Sequence, residues 1–305
     1  WAETDLNICN SVGVARGAAT VFLSFVLVCG CNSVRERPIV IGSKNFTEQI
    51  VLAELLAQHI ESKLGVRVER RVNLGGTLIC HQAVRAGEID LYVEYTGTAL
   101  TAVLHQQPSR DPAEVLQRVR SAYATRFELE IAEPLGFDNT FAIVVRGEDA
   151  RRLGLRTISD LAPHAAKFRA GFGYEFIERP DGYKGLARTY GLEFREAPRL
   201  MELGLLYRAL EQQEVDVVAG SATDGIIAAR DFVVLEDAKH YFPPYEAVPV
   251  VHRGALERHA QLRAVLRGLA GRITAEEVRR LNYAVDGEHR DVKLVVREFL
   301  AAQGM

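Results

Sequence analysis

From residue 38 onward the apolar positions fall into short runs that switch between the periods of strand and helix. Residues 38–42, PIVIG, have the length and branching of a buried strand. Val51, Leu52, Leu55, Leu56, His59 and Ile60 then recur at helical spacing on one face, and Gly65 marks the end of that helix. Between the two, residues 43–48 read as a loop in which Asn45 caps the helix and Glu48, three positions on, closes a capping-box-like pair. Residues 66–72 predict a second strand, and Leu74-Gly75-Gly76-Thr77 a turn into a second helix that carries His81. In the stretch GEIDLYVEYTGTAL at residues 87–100, Ile89, Leu91 and Val93 alternate with Asp90, Tyr92 and Glu94, the pattern of a strand with one buried face. The order βαβαβ predicts a mostly parallel sheet.

The same alternation resumes further on. Helices are predicted at residues 112–127, 158–168, 182–190 and 201–212, with strands at 141–146, 169–173, 215–219, 232–235 and 248–252. From residue 256 the pattern is almost entirely helical, with Thr274 and Glu277 spaced as a capping box. Two α/β sets with a helical tail predict two lobes, and no internal repeat or low-complexity segment interrupts them.

Ahead of this lies a segment of another kind. Ala18 to Cys31 is an apolar run of about 14 residues, short for a bilayer span and suited to the core of a signal peptide. It ends in Val28-Cys29-Gly30-Cys31, which resembles a bacterial lipobox, so residues 1–31 are read as a leader, Cys31 as the lipidated residue and residues 32–38 as a tether. An uncleaved anchor or a buried helix is the alternative. Glu3 and Asp5 are unlike a basic leader start, and residues 1–17 read as upstream sequence. The processed protein is then expected on the extracytoplasmic side, anchored by lipid.

Over 305 residues, 48% are hydrophobic and 25% charged, a composition that excludes wholesale disorder and leaves room for two cores. The net charge of −3, with arginines interspersed among acids, gives no nucleic-acid footprint. Three of the four cysteines fall in the leader, so Cys80 is expected to stand alone as a buried small apolar group. The eight histidines lack metal-ligand spacing, residues 220–223 are no nucleophile elbow and LGGT is no dinucleotide fingerprint, so neither a metal nor a cofactor is expected.

Groups suited to binding are better supplied. Loops at predicted strand ends carry Lys44, Tyr95, Thr98, Asn139, Phe141, Tyr174, Arg179 and Tyr245. A quaternary ammonium donates no hydrogen bond and is held by the negative faces of aromatic rings, whereas a carboxylate asks for Arg and Lys donors. Each residue has a plainer role open to it: Arg179 as a salt bridge holding the RPDG turn, Tyr245 as loop packing after Pro243-Pro244.

Taken in order, GSKNFTEQ, LGGT, GEIDLYVEYTGTAL, GFDNTFA, RPDG, TDG and FPPYEAVPVV resemble the glycine betaine, choline and proline betaine binding proteins of ABC importers, over residues 39–305. The resemblance implies an α/β periplasmic-binding-protein fold of the cluster II type, with the ligand in a cleft between two lobes. Lobe one would be residues 39–142 plus 248–305 and lobe two residues 143–247, with crossings near 141–145 and 245–250. It implies a betaine-like ligand, an ABC permease with its ATPase as partner, and no catalysis. Tyr95, Phe141 and Tyr245 match cage aromatics, Lys44, Thr98 and Arg179 match contacts to the carboxylate end, and Asn139 matches a cage contact. Phe141 stands where tyrosine is common, and Gly220 falls where some members have a fourth aromatic, which predicts an open wall that a tyrosine at this position would fill. One aromatic face contributes roughly 0.5–2 kcal/mol, so its loss weakens such a ligand by about 2- to 30-fold. Two alternatives stay open: the same fold with a ligand lacking a quaternary nitrogen, or a trimethylated amino acid; and an enzyme on a similar scaffold, which would need an acid–base pair that the sequence does not display.

Overall fold

A computed structural model describes residues 37–305. The leader, the lipobox with Cys31 and nearly all of the tether lie outside the described residues. The strands are β1 (Ile39–Lys44), β2 (Val68–Gly75), β3 (Leu91–Tyr95), β4 (Leu129–Ile131), β5 (Phe141–Arg146), β6 (Ala170–Phe172), β7 (Arg199–Leu200), β8 (Val217–Ser221), β9 (Phe232–Leu235) and β10 (Ala247–His252). They form two five-stranded sheets, in the orders β2-β1-β3-β10-β4 and β7-β6-β8-β5-β9, each the centre of one lobe of an α/β protein.

Within each sheet the strand that arrives from the other lobe runs against its neighbours. β10 is antiparallel to β3 and β4, and β5 is antiparallel to β8 and β9, while β1 runs parallel to β2 and β3, and β6 to β7 and β8. The chain crosses between the sheets in residues 132–140 and returns in 236–246. The lobe limits expected at 142/143 and 247/248 therefore shift slightly: Phe141 and Ala142 pair with Ser221 and Gly220 in the second sheet, and Ala247 pairs with Tyr95 in the first. The two crossings pair with each other through a bridge between Asp138 and Glu246, with Asn139 N–H donating to the Tyr245 carbonyl at 3.1 Å.

Helix α1 (Thr47–Leu64) lays Val51, Leu52, Leu55, Leu56 and Ile60 on the first sheet and closes on Gly65 in the left-handed region. The expected cap does not form. The residue before the helix is Phe46, which makes no side-chain cap, and Glu48 turns inward instead. The expectation of one buried face for β3 is also corrected, because all five of its residues are buried. Leu91, Val93 and Tyr95 face the α1 side, while Tyr92 packs with Val40, Val248 and Tyr123 on the other. Pro112–Phe127 is helical as predicted, capped by Asp111, and supplies Tyr123 to this second face; the Thr274–Glu277 capping box also forms. Cys80 is fully buried in the same cluster as a free thiol, which burial pushes up to about 12. β4 and β7, of three and two residues, are too short to leave a periodic signal.

Candidate functional site

Lys44 ends β1 and Tyr95 ends β3, so both stand at the carboxyl ends of adjacent parallel strands, where open α/β sheets bind ligands. Thr98 follows in the turn beyond β3, and Asn139 and Tyr245 sit in the two crossings. From the second lobe, Phe141 opens β5, Gly220 lies near the end of β8, and Arg179 terminates the helix Tyr174–Glu178. All eight line one cavity of about 600 Å³. Tyr174 is exposed instead and is absent from that lining.

The two fixed cations are already engaged. Lys44, buried, forms an ion pair with Glu94 and lies 4.8 Å from the centroid of the Tyr95 ring. Arg179 donates from Nε and Nη2 to Asp181 at 2.9 and 2.6 Å, and from Nη1 to Thr98 Oγ1 at 2.8 Å across the lobes. Its guanidinium lies 5.0 Å from the Phe141 centroid and 5.6 Å from that of Tyr245. Asp181 also accepts from Tyr245 Oη at 2.6 Å and Thr101 Oγ1 at 2.8 Å. Burial alone would raise its carboxyl; the charge and hydrogen bonds of Arg179 hold it below the usual range. The salt bridge within the RPDG turn thus exists, and the residues making it also line the cavity. Phe141 packs on Phe176, Phe242 and Tyr245 at centroid distances of 4.8, 5.6 and 5.7 Å, which fixes these rings as one wall.

The opposite part of the cavity is acidic. Glu48 is 2% exposed and accepts four hydrogen bonds, from Tyr95 Oη, Asn139 Nδ2 at 2.8 Å, Thr223 Oγ1 and Asn282 Nδ2 at 3.2 Å. Burial raises its carboxyl despite these donors, since all four are neutral. Asp224 accepts from Tyr207 Oη at 2.6 Å and Ser221 N–H at 2.8 Å, and burial pushes it up to about 6, with Glu48 and Asp286 adding to the rise.

The open wall expected at Gly220 is not there. A Cβ at this position would lie 1.9 Å from Tyr207 Oη and 2.9 Å from Asp224 Oδ2, so Tyr207 fills the space that a larger residue would occupy. Tyr207 comes from the helix Leu206–Glu211, stacks on Phe232 at 5.8 Å and lines the cavity. Sequence reasoning missed it because a tyrosine on an amphipathic helix has no distinguishing pattern. It missed Glu48 by assigning it to a cap, Asp181 and Asp224 by naming no role for the acids of RPDG and TDG, and Asn282 because a helical asparagine carries no signal.

Residues 37–302 match the model of the family described as the substrate binding domain of ABC-type glycine betaine transport systems. The chain belongs to that family. A protein of Listeria monocytogenes named carnitine transport binding protein OpuCC is 34% identical to this substrate-binding domain over 284 residues, 92% of each chain. A glycine-betaine-binding protein of Pseudomonas aeruginosa is 33% identical, over 85% of this chain and 86% of its own. Among solved structures, one described as a glycine betaine/carnitine/choline ABC transporter superposes with a TM-score of 0.73 at 34% identity, covering 87% of this chain and 98% of that one. As a substrate-binding domain of an ABC importer, the chain works with a permease on the extracytoplasmic side. No helix among the described residues is long and apolar enough to cross a membrane.

Proposed function

We propose that this substrate-binding domain captures a quaternary ammonium solute and presents it to its permease, and that the cavity between the lobes is the binding site. The observation that carries this reading is the convergence on one cavity of aromatic rings from both lobes and the second crossing: Tyr95, Phe141, Tyr207 and Tyr245. A trimethylammonium group offers no hydrogen-bond donor, and ring faces beside carboxylates are the chemistry that holds it. The similarity to proteins named for carnitine and glycine betaine supports the same class. Lys44, Thr98, Asn139, Arg179 and Gly220 are assigned to the lining of this site, with Lys44 and Arg179 acting through their buried partners. The two lobes are drawn at the crossings, and binding closes them without chemical change to the solute.

Mass spectrometry of the small molecule released from the purified protein tests the reading, with thermal-shift comparison of quaternary ammonium compounds and ordinary amino acids alongside. A quaternary ammonium recovered unchanged is expected; stabilisation by amino acids alone overturns it. We further propose that Cys31 carries the lipid anchor. Cys31→Ser is expected to abolish lipid labelling, and labelling that persists refutes the assignment.

A further inference from the structure

Helix α1 lines two cavities. It begins with Thr47 and Glu48 on the cavity between the lobes, and it ends with Lys63 and Leu64 on a groove of about 390 Å³ in the first lobe, away from the cleft. Eleven residues of helix separate Glu48 from His59, about 16 Å at 1.5 Å per residue, so the groove is a separate place. Its other wall is the helix Leu262–Arg267 and the turn that follows, with Arg272 beyond them. Lys63, Arg272, Gln261 and His59 are its polar side chains, and no side-chain carboxylate lines it. Among the described residues neither cation forms an ion pair; Arg272 donates to the Gln303 carbonyl at 3.0 Å. A lysine in the last turn of a helix suits the helix dipole without any ligand, but Arg272 lies in a loop and has no such role.

A second observation in the same groove points to a ligand. His59 is 3% exposed yet is part of the lining. Its Nε2 lies 3.2 Å from the Val265 carbonyl oxygen, which accepts and cannot donate, so Nε2 carries the ring proton and Nδ1 keeps a lone pair. Nδ1 is buried without a hydrogen-bond partner, a costly state for a polar atom. Burial lowers the pKa of the imidazole, the Val265 carbonyl opposes this, and the charges of Lys63 and Arg272 add to the lowering, so the ring is neutral at neutral pH. Gly268 leaves this part of the groove open, since a Cβ there would lie 3.1 Å from the Val265 oxygen and 3.6 Å from His59 Nε2.

Two unpaired cations ask for anionic oxygens, and a neutral imidazole with a free lone pair asks for a donor. A small oxyanion that keeps a proton at neutral pH supplies both. We propose that this groove binds such an oxyanion, hydrogenphosphate being the simplest, with its charged oxygens on Lys63 and Arg272 and its O–H donating to His59 Nδ1. Sulfate brings the charge without the proton, and so does the phosphodiester of a lipid headgroup, which is why a free protonated oxyanion is the match. The assignment is independent of the solute that the cleft captures, because no residue of the groove lines the cavity between the lobes.

Calorimetric titration of the purified protein with inorganic phosphate and, separately, with sulfate, at neutral pH and matched ionic strength, tests the proposal. The same titrations are repeated on Lys63→Gln, Arg272→Gln and His59→Leu. Phosphate is expected to bind the wild type about fivefold or more tighter than sulfate, and each cation variant to weaken phosphate by about tenfold. His59→Leu is expected to bring phosphate down to the level of sulfate. Absence of phosphate binding to the wild type overturns the inference, as does an affinity for phosphate that neither Lys63→Gln nor Arg272→Gln changes. Sulfate binding as tightly as phosphate overturns it too, because the proton on His59 is then not part of recognition. Should His59→Leu fail to fold, the ratio of phosphate to sulfate affinity in the wild type decides the role of His59, and the two exposed cation variants decide the place.

Discussion

Asp224 and Gly220 show how much of this site is decided atom by atom. The folded protein holds the Asp224 proton up to about pH 6, whereas the unfolded chain releases it near the ordinary value of 3.8. Between those values the native state binds more protons, so this residue's contribution to stability is complete below about pH 4 and is lost as pH rises through 6. Glu48 acts in the same direction. Melting curves of the ligand-free protein and Asp224→Asn from pH 4 to 7.5 are expected to show the variant gaining on the wild type as pH rises. A constant difference removes Asp224 from the account. At Gly220, even alanine meets the Tyr207 hydroxyl, so Gly220→Ala is expected to cost about 1–3 kcal/mol and to break the Tyr207–Asp224 bond. Chemical denaturation measures that cost, and Gly220→Tyr, which the sequence pattern favours as an added face, is expected to weaken ligand binding.

Among the elements, helix α2 (Thr77–Arg85) carries a contact that ties the lobes together. Its N-cap is Gly76, which has no side chain to offer, and the cap comes from the other lobe: Glu175 Oε1 accepts from Thr77 N–H at 2.7 Å. A Cβ at 76 would lie 2.1 Å from the same oxygen, so a larger residue there would push the Glu175 carboxylate off the helix terminus. A carboxylate at a helix N-terminus also meets the favourable end of the dipole. Glu175→Ala is expected to remove about 0.5–2 kcal/mol from the closed arrangement, and Glu175→Gln, which keeps an acceptor, less. Small-angle scattering should then show a larger mean radius of gyration for the alanine variant than for the wild type, with the glutamine variant between. Identical profiles would mean that the cap does not influence the lobe equilibrium.

For the whole molecule, the polar groups of the cleft form two hubs, each joining both lobes. Glu48 links α1, the end of β3, the first crossing, Thr223 of the second lobe and Asn282 of the helix Ala275–Asp286. Asp181 joins Arg179 to Tyr245 of the second crossing and Thr101 of the first lobe, and Arg179 reaches Thr98. Arg179→Ala is a poor probe of closure, because an unpaired Asp181 in this setting costs about 3–5 kcal/mol of stability. Thr98→Val removes only the contact between lobes. It is expected to weaken ligand by about 2- to 10-fold with little change in melting temperature and with reduced compaction on ligand addition. Unchanged affinity would place the Arg179–Thr98 bond outside the closure mechanism.

The periods of the chain determined the α/β class, the paired lobes and most of the elements, because apolar periodicity is written locally. Val51, Leu55 and Ile60 on α1 need no knowledge of the rest of the molecule to specify a helix face, and Phe141–Arg146 reads as a strand on its own. The loops that line the cavity were legible for a similar reason: Lys44, Tyr95, Arg179 and Tyr245 stand where predicted elements end. Their partners were not. Glu48 and Thr223 are 175 positions apart, and Lys44 and Glu94 are 50 apart. Whether a carboxylate caps its own helix or is buried among four donors depends on what the other lobe brings to it. Only the tertiary structure decided that Lys44 and Arg179 are paired with buried acids while Glu48 and Asp224 are held by neutral donors, because the charge of a cleft is a sum over side chains that folding alone brings together.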